Sequence, residues 1–227
     1  MTTVPNNRND DTLWTEGAIV VRRSYAVSAA VAWISAGLAY VILEAIAAAA
    51  FRPHYSYVRN LISDLGLTSA FPRAYLMNTA LCLQGTFFLV GAILTVRAFE
   101  KRASRLFLTL AAANAVGNIL IAAFHSGSAA QADGTGWVHA TGAVLAIAGG
   151  NAAILAGSSF IHTGTPWYRT VSIGLAVFGL LSFMMFVIES TTTAVQLLPP
   201  AVWERCGVYP IITWQMFTAA WLLTRSR

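Results

Sequence analysis

Long uncharged stretches alternate along the chain with short charged or polar ones. Between Arg23 and Arg52 the only charged residue is Glu44, and no charge falls within 74–96, 106–132, 134–168, 170–188 or 206–224. A helix needs about 20 apolar residues to cross the hydrocarbon of a bilayer. Each stretch supplies roughly that many and is too long and too uniformly apolar for a barrel strand. The pattern predicts six transmembrane helices near 25–50, 74–97, 105–125, 138–161, 169–189 and 206–224. The expected fold class is therefore all-α: a polytopic, six-helix membrane bundle forming one domain over 22–227. Residues 1–21 read as a polar, disordered cytoplasmic tail. They hold no apolar core, so no separate signal peptide is expected.

Composition agrees with this reading and excludes others. Charged residues make up 10% of the 227, hydrophobic residues 57%, and the mean hydropathy is +0.64. A soluble domain carries about 25% charged residues. Orientation follows from Lys and Arg placement. With the N-terminus in the cytoplasm, ten basic residues lie inside (Arg8, Arg22, Arg23, Arg97, Lys101, Arg102, Arg105, Arg169, Arg225, Arg227) and four outside (Arg52, Arg59, Arg73, Arg205). Both termini are expected to be cytoplasmic, in the cell membrane. The net charge of +5 fits this bias plus attraction to membrane lipids, and calls for no nucleic acid. Cys82 and Cys206 show no motif spacing and read as small apolar side chains.

Candidate chemistry gathers in the three predicted outer connections, 51–73, 125–139 and 189–206. They hold His54, His125, His139, Asp64, Asp133, Glu189 and Glu204, with Ser56, Ser63, Ser126 and Ser128. Asp133-Gly134-Thr135-Gly136 signals a turn, Pro199-Pro200 breaks helix, and His162, on the other side, has no expected role. Glu44 lies inside an apolar helix, where a carboxylate must be paired or face a wet cavity. Arg52, Arg59 or a histidine is its expected partner. Asn114, Asn118 and His125 share one helical stripe, expected to face the interior. His125 and His139 should meet at the outer rim. No HxxxH or HExxH spacing exists, so a hydrogen-bonded pair is expected there rather than a metal, and the sequence assigns no cofactor. Ser63, Asp64 and a histidine could form a nucleophilic set, but no GxSxG elbow is present. Equally, Ser63 or Asp64 could cap a short helix. Asp64 and His139 are expected to share one polar cluster with Arg59 or Arg205.

The run Tyr57-Val58-Arg59-Asn60-Leu61-Ile62-Ser63-Asp64-Leu65-Gly66 is the most distinctive segment. With Gly136-Trp137-Val138-His139-Ala140-Thr141-Gly142 and Trp203-Glu204-Arg205, it resembles domain-of-unknown-function family nine-nine-eight, six-helix membrane proteins of bacteria and archaea. Ile-Ser-Asp-Leu-Gly is also similar to a motif of eukaryotic autophagy-modulator-type membrane proteins. The resemblance carries over Arg59, Ser63, Asp64, Gly66, His139, Glu204 and Arg205. It implies the fold and the place of a site, and no activity.

The leading functional expectation is a polar site at the extracytoplasmic mouth that binds or modifies a lipid or isoprenoid. Asp64, His139 and Ser63 would be its catalytic candidates, and Arg59, Arg205, Glu204, Glu44 and His125 its binding candidates, with an arginine on an anionic headgroup. The alternative is a non-catalytic scaffold or accessory subunit that docks a membrane-protein partner through its outer loops. Transport ranks last, because the inner halves of the spans read as almost wholly apolar and show no repeat of broken helices.

Overall fold

The computed structural model describes residues 12–16, 19–68, 72–100, 104–127, 132–161, 165–192 and 196–225. Residues 1–11, Lys101, Arg102, Ser128 and His162 lie outside them. A small antiparallel hairpin, β1 (Thr12–Glu16) and β2 (Ile19–Arg22), precedes the bundle. Six long helices follow: α1 (Arg23–Ala50), α2 (Ala74–Ala98), α3 (Arg105–Ala123), α4 (Gly136–Ile161), α5 (Pro166–Thr191) and α6 (Pro200–Arg225). All six are long and apolar enough to cross a membrane, as the uncharged stretches predict. We call the end of the bundle that carries the 51–73, 124–135 and 192–199 connections the mouth, and the opposite end the base.

The helices are apolar on their outer faces and small or polar within, the arrangement expected where lipid takes the place of water. On α1 the buried residues Ala26, Ala29, Ala30, Trp33, Ala36, Gly37, Tyr40, Glu44, Ala47 and Ala48 recur at three- and four-residue steps. Val31, Leu38, Val41, Ile42 and Ile46 are exposed on the opposite face. Trp33, Phe88 and Trp214 cluster at the centre, with the Trp33 and Trp214 rings 5.2 Å apart.

The middle and base-side parts of the bundle are more polar than the sequence suggests. Gln84 and Gln215 bond to each other through both amides, at 2.8 and 3.1 Å. Trp214 Nε1 donates to Ser172 Oγ at 3.0 Å, and the Tyr168 and Thr218 hydroxyls share a bond of 2.8 Å. These groups are buried yet uncharged, and each is paired across helices. They tie α6 to α2 and α5 without the cost of a bare charge in hydrocarbon.

Two boundaries differ from expectation for one reason. Helix α5 begins at Pro166 and α6 at Pro200. Proline at the first helical position lacks only an N–H that would go unbonded there, and its fixed φ suits the turn. Pro200 therefore starts α6 instead of ending a loop. Trp203, Glu204 and Arg205, expected in a connection, stand on the first turns of that helix.

Helix α4 departs from regularity between Val144 and Ala148, where one π-helical turn interrupts it. A π turn alters the backbone bonding pattern. Here Asn114 Nδ2 of α3 donates to Ala146 O at 2.6 Å. Gly117 makes this crossing possible, because a side chain on it would overlap Ala146 N and Gly142 O of α4.

Candidate functional site

The site is built from two distant pieces of chain that close the mouth together. The connection after α1 folds back over the bundle and ends in a short 3₁₀ turn, Ser63–Gly66. Leu65 is its anchor, fully buried against Tyr40, Ala47, Ala74 and Met77. Asp64 Oδ2 accepts the Leu61 N–H at 2.8 Å and fixes the turn from within. Gly66 lets the Asn78 side chain lie against its backbone, where a Cβ would sit 2.5 Å from Asn78 Oδ1. Asn78 Nδ2 in turn contacts Gly66 O at 3.2 Å and His125 Nε2 at 3.0 Å.

Helix α6 holds this segment by its backbone. Glu204, 7% exposed, accepts the Ile62 N–H at 2.5 Å, and the Ser63 N–H adds a second bond. Arg205 donates to Asn60 O at 2.8 Å, to Ala201 O at 3.0 Å and to the Tyr55 hydroxyl. Its guanidinium lies 5.4 and 5.1 Å from the Tyr55 and Tyr57 ring centres, within cation–π range. Tyr55 passes the interaction on by donating to Leu61 O at 2.8 Å. Burial holds the Tyr55 phenol well above its usual pKa, against the pull of Arg205, so it remains a neutral donor. Glu44 lies beside this network. It is 3% exposed, accepts the Tyr209 O–H at 3.0 Å and stands 4.0 Å from Arg205 Nη2. Its neighbours are thus Tyr209 and Arg205, not the Arg52, Arg59 or histidine that the sequence suggests.

Beneath the segment a cavity of about 290 Å³ penetrates the bundle. Its walls are mostly apolar and include Leu81, Ile121, Ile147, Phe186, Val208 and Ile211. Ser63, Ser126, His139, Ser190 and Glu204 line it near the mouth. Tyr40, Gln84 and Asn114 line it deeper, roughly 14–15 Å along their helices from the mouth at 1.5 Å per residue. Asn118 lines it between the two sets. The π turn of α4 contributes Ala146 and Ile147 to the wall.

The candidates named from sequence divide into three groups. Ser63, His139 and Glu204 face one cavity. Glu44 and Arg205 brace its mouth from the side. Asp64, His125 and Arg59 are outside its lining: Asp64 is bonded to Leu61, His125 to Asn78, and Arg59 is exposed at the rim. His139 Nδ1 is bonded to Phe124 O at 2.8 Å, so Asp64 and His139 each have a separate partner. His125 and His139 likewise hold different partners. Among the described residues no three His, Cys, Asp or Glu side chains gather as metal ligands would, and Cys82 and Cys206 are free thiols. Asp133 bonds to the Thr135 hydroxyl and N–H, which hold its carboxyl below the usual range and close an exposed turn.

Sequence reasoning missed Tyr40, Gln84, Ser190, Tyr55 and Tyr209. Gln84 carried a usable signal, being an amide within an otherwise apolar span. The tyrosines carried none, because an aromatic in a membrane helix reads equally as core.

No curated protein and no solved structure matches the chain. A protein-family comparison matches residues 26–221, all six helices included, to the family described as Protein of unknown function (DUF998). The match spans most of the chain, which therefore belongs to this family of multi-pass membrane proteins.

Proposed function

We propose that this protein binds an amphiphile drawn from the bilayer, a lipid or isoprenoid. One apolar chain would occupy the cavity, and its polar end would lie at the mouth among Ser63, Ser126, His139, Ser190 and Glu204. The observation that carries this reading is the cavity itself. At about 290 Å³ it equals roughly ten waters at ~30 Å³ each, near the lower end of the range for ligand sites. Water would find few partners against its apolar walls, whereas an acyl or prenyl chain needs none. Its size suits a single chain better than a whole two-chain phospholipid. The mouth lies on the extracytoplasmic side in this proposal, following the bias of basic residues.

The reading is tested by native mass spectrometry of the full chain released from its own membranes. One amphiphile should stay bound at near-equal stoichiometry. Ala143→Phe places a ring in the cavity wall and should reduce occupancy about fivefold or more. Ala140→Phe is a milder version nearer the mouth, and unfolding curves would check that either variant is folded. A wild-type protein that emerges empty, or a folded variant that keeps its amphiphile, would put the partner-docking scaffold reading ahead.

A further inference from the structure

The cavity is closed unevenly. Leu61, Ile62 and Ser63 roof it at the mouth. Glu204 holds the Ile62 N–H and Arg205 holds Asn60 O, so an occupant entering from water through this roof would have to break those bonds. Around the sides, α1 packs on α2, α2 on α3, α3 on α4, α5 on α6 and α6 on α1. The seam between α4 and α5 differs. The π turn and Gly149–Ile161 meet α5, but Gly136–Ala143, on the mouth side of that turn, barely touches it. Small residues draw this part of α4 onto α3 instead: a Cβ on Gly142 would sit 3.0 Å from Leu120 Cβ and 3.1 Å from Gly117 O. A π turn is a place where a helix can change direction. His139 and Thr141 bond to Phe124 O and Trp137 O, and among the described residues no side-chain bond ties Gly136–Ala143 to α5.

The lining points to the same seam. Of the residues that line the cavity, only Ala140 of α4 and Ser190 of α5 are exposed, and the rest are buried or half-buried. Ala143 and Phe186 line it one turn further in on the same two helices. Ala143 is seven residues, and Phe186 five, from the mouth ends of their helices, roughly 10 and 8 Å at 1.5 Å per residue. That depth lies within one leaflet of a hydrocarbon core about 30 Å thick. Val144, Met184 and Val187 nearby are exposed and apolar, as a rim facing lipid would be.

Resting on the amphiphile reading, we propose that the occupant enters sideways from the mouth-side leaflet, through a portal between Ala140 and Ala143 of α4 and Phe186 and Ser190 of α5. Its chain passes through the portal while its polar end stays level with Ser126, His139 and Ser190 at the mouth. Ala140→Cys, Ser190→Cys and Val58→Cys test this, each alone in a full chain carrying Cys82→Ala and Cys206→Ala, in phosphatidylcholine nanodiscs. Val58 is exposed on the connection that forms the roof. The probes are diazirine-bearing oleyl alcohol and geranylgeraniol, and brief illumination at intervals reads occupancy as crosslinks to the cavity-lining peptides of α3 and α6. After loading, the cysteine is alkylated with a bulky maleimide, the adduct is confirmed by mass, and excess phosphatidylcholine vesicles draw the probe off. An adduct at 140 or 190 should slow release about tenfold, and uptake likewise when it is attached first, whereas one at 58 should change neither rate by more than about twofold. A plugged portal traps the probe; an adduct that only damages the site would release it faster. Unchanged or faster release at both 140 and 190, or slowing at 58 alone, would overturn the portal and leave the amphiphile reading standing. Failure of both probes to crosslink the cavity of the unmodified protein would overturn that reading as well.

Discussion

Arg205 shows how one buried charge organises the mouth. Its guanidinium is not matched by a single carboxylate, since Glu44 Oε1 is 4.0 Å away. Its charge is spread instead over two carbonyls, a phenol and the faces of Tyr55 and Tyr57. Only a planar fork reaches several such acceptors at once, and an ammonium does not reproduce it. Arg205→Lys should therefore lower unfolding stability in detergent by about 1.5–3 kcal/mol, the scale of lost hydrogen bonds to a charged group. Arg59→Lys, at the exposed rim, should stay within about 0.5 kcal/mol. Denaturant titration of the two variants beside wild type compares them directly. Equal losses would mean that Arg205 is no more than a surface-like cation.

At the scale of elements, the sequence carries the helices far better than the contacts between them. Six spans follow from where charges are missing, because hydrocarbon tolerates so few. The first turns of α6 were hidden by Pro200, which ends one helix or begins another depending on what precedes it. The π turn of α4 has no local signal. Its Ala146 carbonyl is taken by Asn114, a residue of the neighbouring helix, so tertiary contact completes it. The Ile-Ser-Asp-Leu-Gly run was legible as special, and the structure supplies physical reasons. Leu65 plugs the core, Gly66 admits Asn78, and the Ile62 and Ser63 N–H groups dock on Glu204. Ser63, His139 and Glu204, which line the cavity, stand out in the sequence because polar residues are rare in an apolar chain. Asp64 and His139 looked like partners because both were placed at the mouth. A turn closing on itself through Leu61, and a backbone carbonyl at Phe124, serve them instead.

For the whole molecule, orientation and occupancy are the two properties on which function depends. The proposed placement of the base in the cytoplasm rests on ten basic residues against four. Asp133 and Glu100 are exposed on mouth and base connections respectively. Single cysteines at these positions, in a chain with Cys82 and Cys206 replaced, should react with an impermeant thiol reagent on intact cells at 133 only. Reaction at 100 alone would invert the bundle and place the cavity mouth in the cytoplasm. The central claim, that the bundle houses a membrane amphiphile, is tested most directly by an experimental structure in a nanodisc of native lipids. It should show elongated non-protein density running from Ser63, His139 and Glu204 past Ile211 towards Tyr40 and Asn114. A cavity closed by its own side chains, with no such density, would contradict it.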